Sequence, residues 1–102
     1  MTPKALTIDD IKTLKVDLHN DWLQSDDGKS LTRKFNTKGF DHALAITNLC
    51  STIADDYNHH PDICLGWGYC HVSFTTHSIS ALSMLDFDCA RELDNRVVSF
   101  KR

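Results

Sequence analysis

The chain has 102 residues, of which 41% are hydrophobic and 25% charged, and its formal net charge is −3 when the histidines are neutral. This length and composition predict a single globular domain that spans residues 1–102. The 14 acidic side chains outnumber the 11 basic ones, which argues against a direct nucleic-acid partner, and no apolar run approaches the ~20 residues that cross a membrane.

A helix and a hairpin are predicted first. Thr7 followed three residues later by Asp10 is a variant of the capping box, and the helical spacing of the apolar residues after it predicts a helix that ends near His19-Asn20. The Asp27-Gly28 dipeptide is a turn signal, and the alternation of Leu31-Thr32-Arg33-Lys34-Phe35 predicts the second strand of a hairpin.

The second helix is predicted from Phe40 to the residues just before His59. Its apolar residues form a face about 18 residues long, which is wider than one small sheet needs. Pro61 disfavours helical geometry at His60, so the helix should end before the two histidines.

Two strands and a last helix complete the chain. The stretches DICLGW and YCHVSFTTH predict the strands, and Ser83 with Asp86 repeats the N-terminal capping pattern. The buried side of the helix is predicted to carry Leu85, Cys89, Leu93, Val97 and Phe100. The predicted order is α-β-β-α-β-β-α. The fold class is therefore α+β, an antiparallel four-stranded sheet with helices on one face.

The four cysteines, at positions 50, 64, 70 and 89, include no pair with the two-residue spacing of redox motifs or zinc knuckles. The start of the chain, MTPKALTIDD, holds no apolar signal core. We therefore expect reduced thiols in a cytoplasmic protein, with Cys50 and Cys89 on helices.

Three histidines allow three interpretations. His59 and His60 lie at a helix-to-strand turn, and His77 lies at the end of a predicted strand. They could bind a metal ion, serve as polar groups of a turn, or transfer protons near neutral pH with a carboxylate such as Asp55 or Asp86 nearby. Spacing alone leaves these three open.

A longer pattern resembles a known family. His59-His60-Pro61 is followed by Trp67 after five residues, by His77 after nine more and by Asp86 after a further eight. This arrangement resembles that of the pterin-4a-carbinolamine dehydratases, and the similarity extends over roughly residues 7 to 100.

The resemblance implies a metal-free and cofactor-free lyase. Such enzymes dehydrate 4a-hydroxytetrahydropterin to quinonoid dihydropterin in tetrahydrobiopterin recycling. It implies catalytic roles for His59, His60 and His77, of which His60 and His77 are expected to move protons while His59 holds the substrate. The implied substrate-binding residues are Asp55, Asn58, Pro61, Thr75, Thr76, Ser78 and Asp86.

The resemblance also implies association into a homodimer or homotetramer. A second function remains open, because members of this family also act as transcriptional co-regulators or assembly factors. Asn58, Ile63 and Ala81 depart from the family pattern, in which an aspartate, an aromatic residue and a glycine are usual at the matching positions.

Overall fold

Three helices and four strands follow one another in the predicted order α-β-β-α-β-β-α. The structure is a computed structural model, and it describes residues 3–99. Its elements are α1 (Ile8–Lys15), β1 (Leu23–Gln24), β2 (Leu31–Asn36), α2 (Phe40–Tyr57), β3 (Asp62–Gly66), β4 (Tyr69–Phe74) and α3 (Met84–Val97), with a short 3₁₀ turn at His77–Ile79.

The strands form one antiparallel sheet in the order β1-β2-β4-β3. The hairpins β1–β2 and β3–β4 join through β2 and β4, where Leu31 lies opposite Phe74 and Phe35 opposite Cys70. β3 is therefore an edge strand, and it begins directly after the two histidines. These features confirm the predicted α+β class.

Alternation along β2 and β4 places one face of the sheet in the core. Cys70, Val72 and Phe74 are buried, whereas the intervening His71 and Ser73 are only half-buried. A side-chain period of two is expected for a sheet with one covered face. The helices contribute Ile11, Ala43, Ile46, Cys50, Ile53, Phe87, Cys89, Ala90 and Leu93 to the core, and strand β2 and the connecting segments add Leu18, Trp22, Leu31 and Leu82.

α2 ends where Pro61 predicted that it would. Asn58 adopts the left-handed conformation, with φ 49° and ψ 45°. The backbone N–H of His59 then donates to the carbonyl of Ala54 at 3.0 Å. A left-handed residue is a common way to end a helix, and asparagine tolerates it better than most residues. The chain consequently turns at Asn58 and presents the two histidines at the start of β3.

The predicted end of the first helix near His19-Asn20 is wrong, because α1 stops at Lys15. Tight turn bonds follow, including Leu18 N–H to the Lys15 carbonyl at 3.1 Å, and they bring Leu18 into the core. The backbone N–H of His19 then donates to Asp94 of α3 at 2.9 Å. This long-range contact replaces the helical bond that the local pattern predicted.

Further details differ from the predicted elements. β4 ends at Phe74, so His77 lies in a 3₁₀ turn and not at the end of a strand. In α3, Phe87 is fully buried although the predicted buried row omitted it, and Leu85 and Val97 are only partly buried. Phe100 lies outside the described residues.

All four cysteines, which lie within residues 3–99, are free thiols, and Cys50 and Cys89 lie on helices as predicted. None of the helices that the structure describes has the length and apolar character needed to cross a membrane.

Candidate active site

A largely buried pair of side chains joins the end of α2 to the start of α3. Nε2 of His59 lies 2.6 Å from Oδ1 of Asp86, and the two side chains are 10% and 0% exposed. The imidazole stacks on Phe74 of β4, with ring centroids 6.3 Å apart and an interplanar angle of 14°. The bond and the stacking together fix the position and the plane of the His59 ring.

Asp86 is held by donors on its other oxygen. Oδ2 accepts a hydrogen bond from the hydroxyl of Thr76 at 2.7 Å and one from the backbone N–H of Ser83 at 2.9 Å. A buried carboxylate without donors would be costly, so these bonds make its burial possible. Asp86 is also the third residue of α3 and completes a capping box with Ser83.

The contact with Asp86 assigns the hydrogen on the His59 ring. A carboxylate only accepts hydrogen bonds, so Nε2 of His59 must carry the hydrogen of the 2.6 Å bond. In the neutral imidazole this leaves Nδ1 as the ring nitrogen with a lone pair. Nδ1 of His59 can therefore accept a hydrogen bond from a bound molecule at a fixed position.

The other two candidate histidines face solvent, each near a carboxylate. Nε2 of His60 lies 3.4 Å from Oδ1 of Asp55, and its side chain is 63% exposed. Nε2 of His77 lies 4.0 Å from Oδ2 of Asp62, and its side chain is 77% exposed. Exposed pairs of this kind are weak and screened by salt, so both imidazoles are accessible to water and to a ligand.

Chain connectivity places His77 beside the histidine pair. Asp62 is the first residue of β3 and directly follows Pro61, so the contact between His77 and Asp62 brings the 3₁₀ turn to the start of this strand. The structure thus gathers the three candidate histidines around the start of β3.

The loop that carries His77 is closed by an antiparallel bridge between Thr76 and Ala81. The N–H of Thr76 donates to the carbonyl of Ala81 at 3.2 Å, and Ser80 takes up the left-handed conformation with φ 49°. Ala81 itself has no positive φ. The glycine that the family usually has at this position is therefore not required for the backbone here.

The remaining predicted binding residues fall into two groups. Asn58 and Ser78 are exposed and Pro61 is half-buried around the histidines. Thr75 and Thr76 use their hydroxyls within the protein, on the carbonyl of Lys29 and on Asp86 respectively. The role of these residues at the edge of a pterin stays a prediction.

Sequence reasoning missed two contributors to this site. Ser83 was recognised only as a helix cap, although its hydroxyl lies 2.7 Å from that of Thr76, and Phe74 was recognised only as part of a predicted strand. Their local roles were visible in the sequence, but their contacts with the His59–Asp86 pair are long-range.

A separate cavity of about 510 Å³ lies at the N-terminal end of α3. It is lined by residues 3–7 together with Asp10, Ser83, Met84 and Leu85, and none of the three candidate histidines lines it. Within residues 3–99, no group of three or more His, Cys, Asp or Glu side chains has an arrangement that could hold a metal ion.

Comparison with known families identifies the family of the chain. The sequence profile described as pterin 4 alpha carbinolamine dehydratase matches residues 4–96. The chain belongs to the pterin-4a-carbinolamine dehydratase family. The resemblance found in the histidine pattern is thereby confirmed.

Bacterial members of the pterin-4a-carbinolamine dehydratase family are similar over most of the chain. A Legionella pneumophila (strain Lens) protein that is provisionally named as this dehydratase is 38% identical over 94 residues, covering 92% of this chain and 83% of its own. A Paracoccus denitrificans protein with the same provisional name is 41% identical over 73 residues, covering 72% and 68%.

Two solved structures share the fold. The crystal structure of a transcriptional coactivator/pterin dehydratase from Brucella melitensis has a TM-score of 0.83 and 25% identity, covering 90% of this chain and 97% of its own. A pterin dehydratase-like RuBisCO assembly factor of the alpha-carboxysome has a TM-score of 0.62 at 15% identity, covering 76% and 89%. The second similarity concerns the fold alone.

Proposed function

We propose that this protein is a dehydratase that converts 4a-hydroxytetrahydropterin to quinonoid dihydropterin and water. The observation that carries the proposal is the largely buried His59–Asp86 pair, at 2.6 Å, beside two accessible histidines in a chain of this family. We further propose that the reaction serves tetrahydrobiopterin recycling in the cytoplasm, with no metal ion or cofactor.

The reaction needs an acid and a base at the same pH. The carbon–oxygen bond at C4a breaks as the leaving hydroxyl gains a proton and departs as water, while a ring nitrogen loses a proton and its electrons form the new double bond. Imidazole can serve either role near neutral pH. No electron transfer is required, so the side chains of this site can supply all the chemistry.

The three histidines would divide these tasks by accessibility. His59, fixed by Asp86, would hold the substrate by accepting a hydrogen bond at Nδ1. His60 and His77 would move the protons, because both are exposed enough to exchange them with water.

The direct test is stopped-flow dehydration of 4a-hydroxytetrahydropterin generated in situ, with chelator present. We expect acceleration by the wild-type protein that survives chelation. His60→Ala and His77→Ala should each slow the reaction about 100-fold or more, the scale of a lost acid–base group, with unchanged unfolding transitions.

His19→Gln is the matched control. His19 is also exposed, but its backbone bonds to Asp94, which lies eight residues along α3 from Asp86 and hence about 12 Å away along the helix. This variant should keep the wild-type rate. Wild-type rates in both His60→Ala and His77→Ala would contradict the assignment of these residues.

A second candidate function is partner binding on the same scaffold. The Brucella melitensis protein is named as a coactivator as well as a dehydratase, and Phe40 and Leu44 leave an apolar part of α2 exposed. Association into a homodimer or homotetramer would also use such a surface. A folded wild-type protein that gives no acceleration would favour this second function.

A further inference from the structure

We propose that Ser83 is a positioning residue of the site, and that the capping box of α3 is the device that orients His59. Ser83 touches neither His59 nor any reacting atom in this scheme. It acts through Thr76 and Asp86. The inference deepens the proposed function and rests on it for the effect on catalysis.

The direction of the hydroxyl hydrogen bonds can be deduced from the geometry. Thr76 has one hydroxyl hydrogen, and it donates that hydrogen to Oδ2 of Asp86 at 2.7 Å. The 2.7 Å contact between the hydroxyl oxygens of Thr76 and Ser83 must therefore use the hydrogen of Ser83. The Ser83 hydroxyl oxygen in turn accepts from the N–H of Leu85 at 3.3 Å.

Ser83 therefore reaches Asp86 by two routes. Its backbone N–H donates directly to Oδ2, and its hydroxyl fixes the donor hydroxyl of Thr76 on the same oxygen. With Oδ2 occupied in this way, Oδ1 is the oxygen directed at Nε2 of His59. Thr76, Ser83 and Asp86 are all buried, so water does not compete for these bonds.

α1 begins with the same capping motif, but its hydrogen bonds stay within the cap and do not continue to a site residue. Thr7 and Asp10 form a capping box with two bonds of 3.1 Å. Both residues are exposed. The box of α3 instead lies in the protein interior and continues to Thr76 and His59. Thr7→Ala therefore removes a helix cap but no contact of the candidate site. It is the matched control for Ser83→Ala.

The test combines kinetics with a spectroscopic measurement of the His59 ring. We expect Ser83→Ala to lower kcat/KM about tenfold, mainly through a higher KM, which is the scale of one lost hydrogen bond in a charged network. Nitrogen-15 chemical shifts of the imidazole should show the Nε2–H tautomer of His59 in the wild type and a mixture of tautomers in Ser83→Ala, because Oδ1 of Asp86 is then no longer held toward Nε2. Ser83→Thr should restore both properties, and Thr7→Ala should change neither.

Ser83→Gly covers the case in which Ser83→Ala does not fold. Glycine costs an N-cap position only a few tenths of a kcal/mol, yet it lacks the hydroxyl, so it should show the same tautomer mixture. Wild-type tautomer populations in Ser83→Ala or Ser83→Gly would overturn the inference. The tautomer measurement needs no turnover, so it tests the positioning role even if the wild type is inactive and the proposed function fails.

Discussion

At the scale of single residues, depth in the fold separates the four cysteines, all of which lie within the described part of the chain. Cys50, Cys70 and Cys89 are buried, whereas Cys64 on the edge strand β3 is exposed. Burial raises the pKa of the Cys50 thiol to about 12. Burial, with the carboxylate of Asp86 as the next cause, raises the pKa of Cys89 to about 12. In the native protein these two thiols therefore stay protonated at pH values at which an exposed thiol would ionise.

The raised pKa values predict a loss of stability at alkaline pH. Below about pH 9 these thiols are protonated in both states, so they cause no pH dependence of the free energy of unfolding. Above about pH 9 the unfolded chain releases thiol protons that the native protein retains. The free energy of unfolding should therefore fall with rising pH until about pH 12.

Urea unfolding at a series of pH values from 8 to 11, under reducing conditions, measures this effect. Cys50→Ala should reduce the decline, while Cys64→Ala should leave it as in the wild type, because Cys64 is exposed. An equal decline in Cys50→Ala and wild type would contradict the assignment to the buried thiol.

At the scale of elements, Asp94 ties two parts of the chain to α3. One oxygen accepts from the indole N–H of Trp22 at 2.7 Å and from the guanidinium of Arg33 at 2.6 Å. The other accepts from the backbone N–H of His19 at 2.9 Å. The turn after α1 and strand β2 are thereby held against the helix.

Asp94→Ala is predicted to destabilise the protein by about 3–5 kcal/mol, since it leaves a buried guanidinium without its carboxylate. The Nε atom of Arg33 already has no partner within the described residues, so the cation has little else to bond to. Urea unfolding measures the loss. Glu92→Ala removes the more exposed pair with Arg96 on the same helix and should cost far less. Equal losses in the two variants would show that Asp94 acts as an ordinary surface charge.

Most helix and strand ends were predicted well because they depend on residues that are close in the sequence. Both capping boxes, the stop before Pro61 and the turn at Asp27-Gly28 depend on neighbours within about four residues, and all are present. The end of α1 could not be predicted in this way. Beyond this end the chain follows tight turn bonds to Leu18 and then a bond from the N–H of His19 to Asp94, which lies 75 positions away.

The candidate site was predictable as a set of residues but not as a geometry. The capping pattern marked Asp86, yet it does not show that the second oxygen of this carboxylate meets His59, 27 positions away. The alternation of β2 placed Arg33 on the apolar face, yet it did not show that Asp94 would balance its charge there. Such pairings depend on how helices dock on the sheet.

At the scale of the whole molecule, the same contacts hold the candidate site and the hydrophobic core in place. The ring under His59 is Phe74, whose other neighbour is the fully buried Trp22, with centroids 6.0 Å apart. Asp86 belongs to α3, which docks on α2. Opening any of these contacts should disturb the site and the core together.

We therefore expect catalytic activity and tertiary structure to be lost at the same urea concentration. The fluorescence of Trp22, recorded in a Trp67→Phe variant that removes the exposed indole, reports the core, and the dehydration rate reports the site. Coincident midpoints would support one cooperative unit. Loss of activity at clearly lower urea would mean that the site opens separately from the core.

The double use of Asp86 has a consequence for how this chain can evolve. Glutamate is the usual third residue of a capping box, so selection for helix stability alone would favour it at both caps. At Asp10 that exchange is open, because the carboxylate has no task beyond the helix. At position 86 the extra methylene would displace the carboxylate from a 2.6 Å contact with His59. The shorter acid is the one that satisfies both demands, and a relative that lacks the proposed dehydratase activity would be free to lose it.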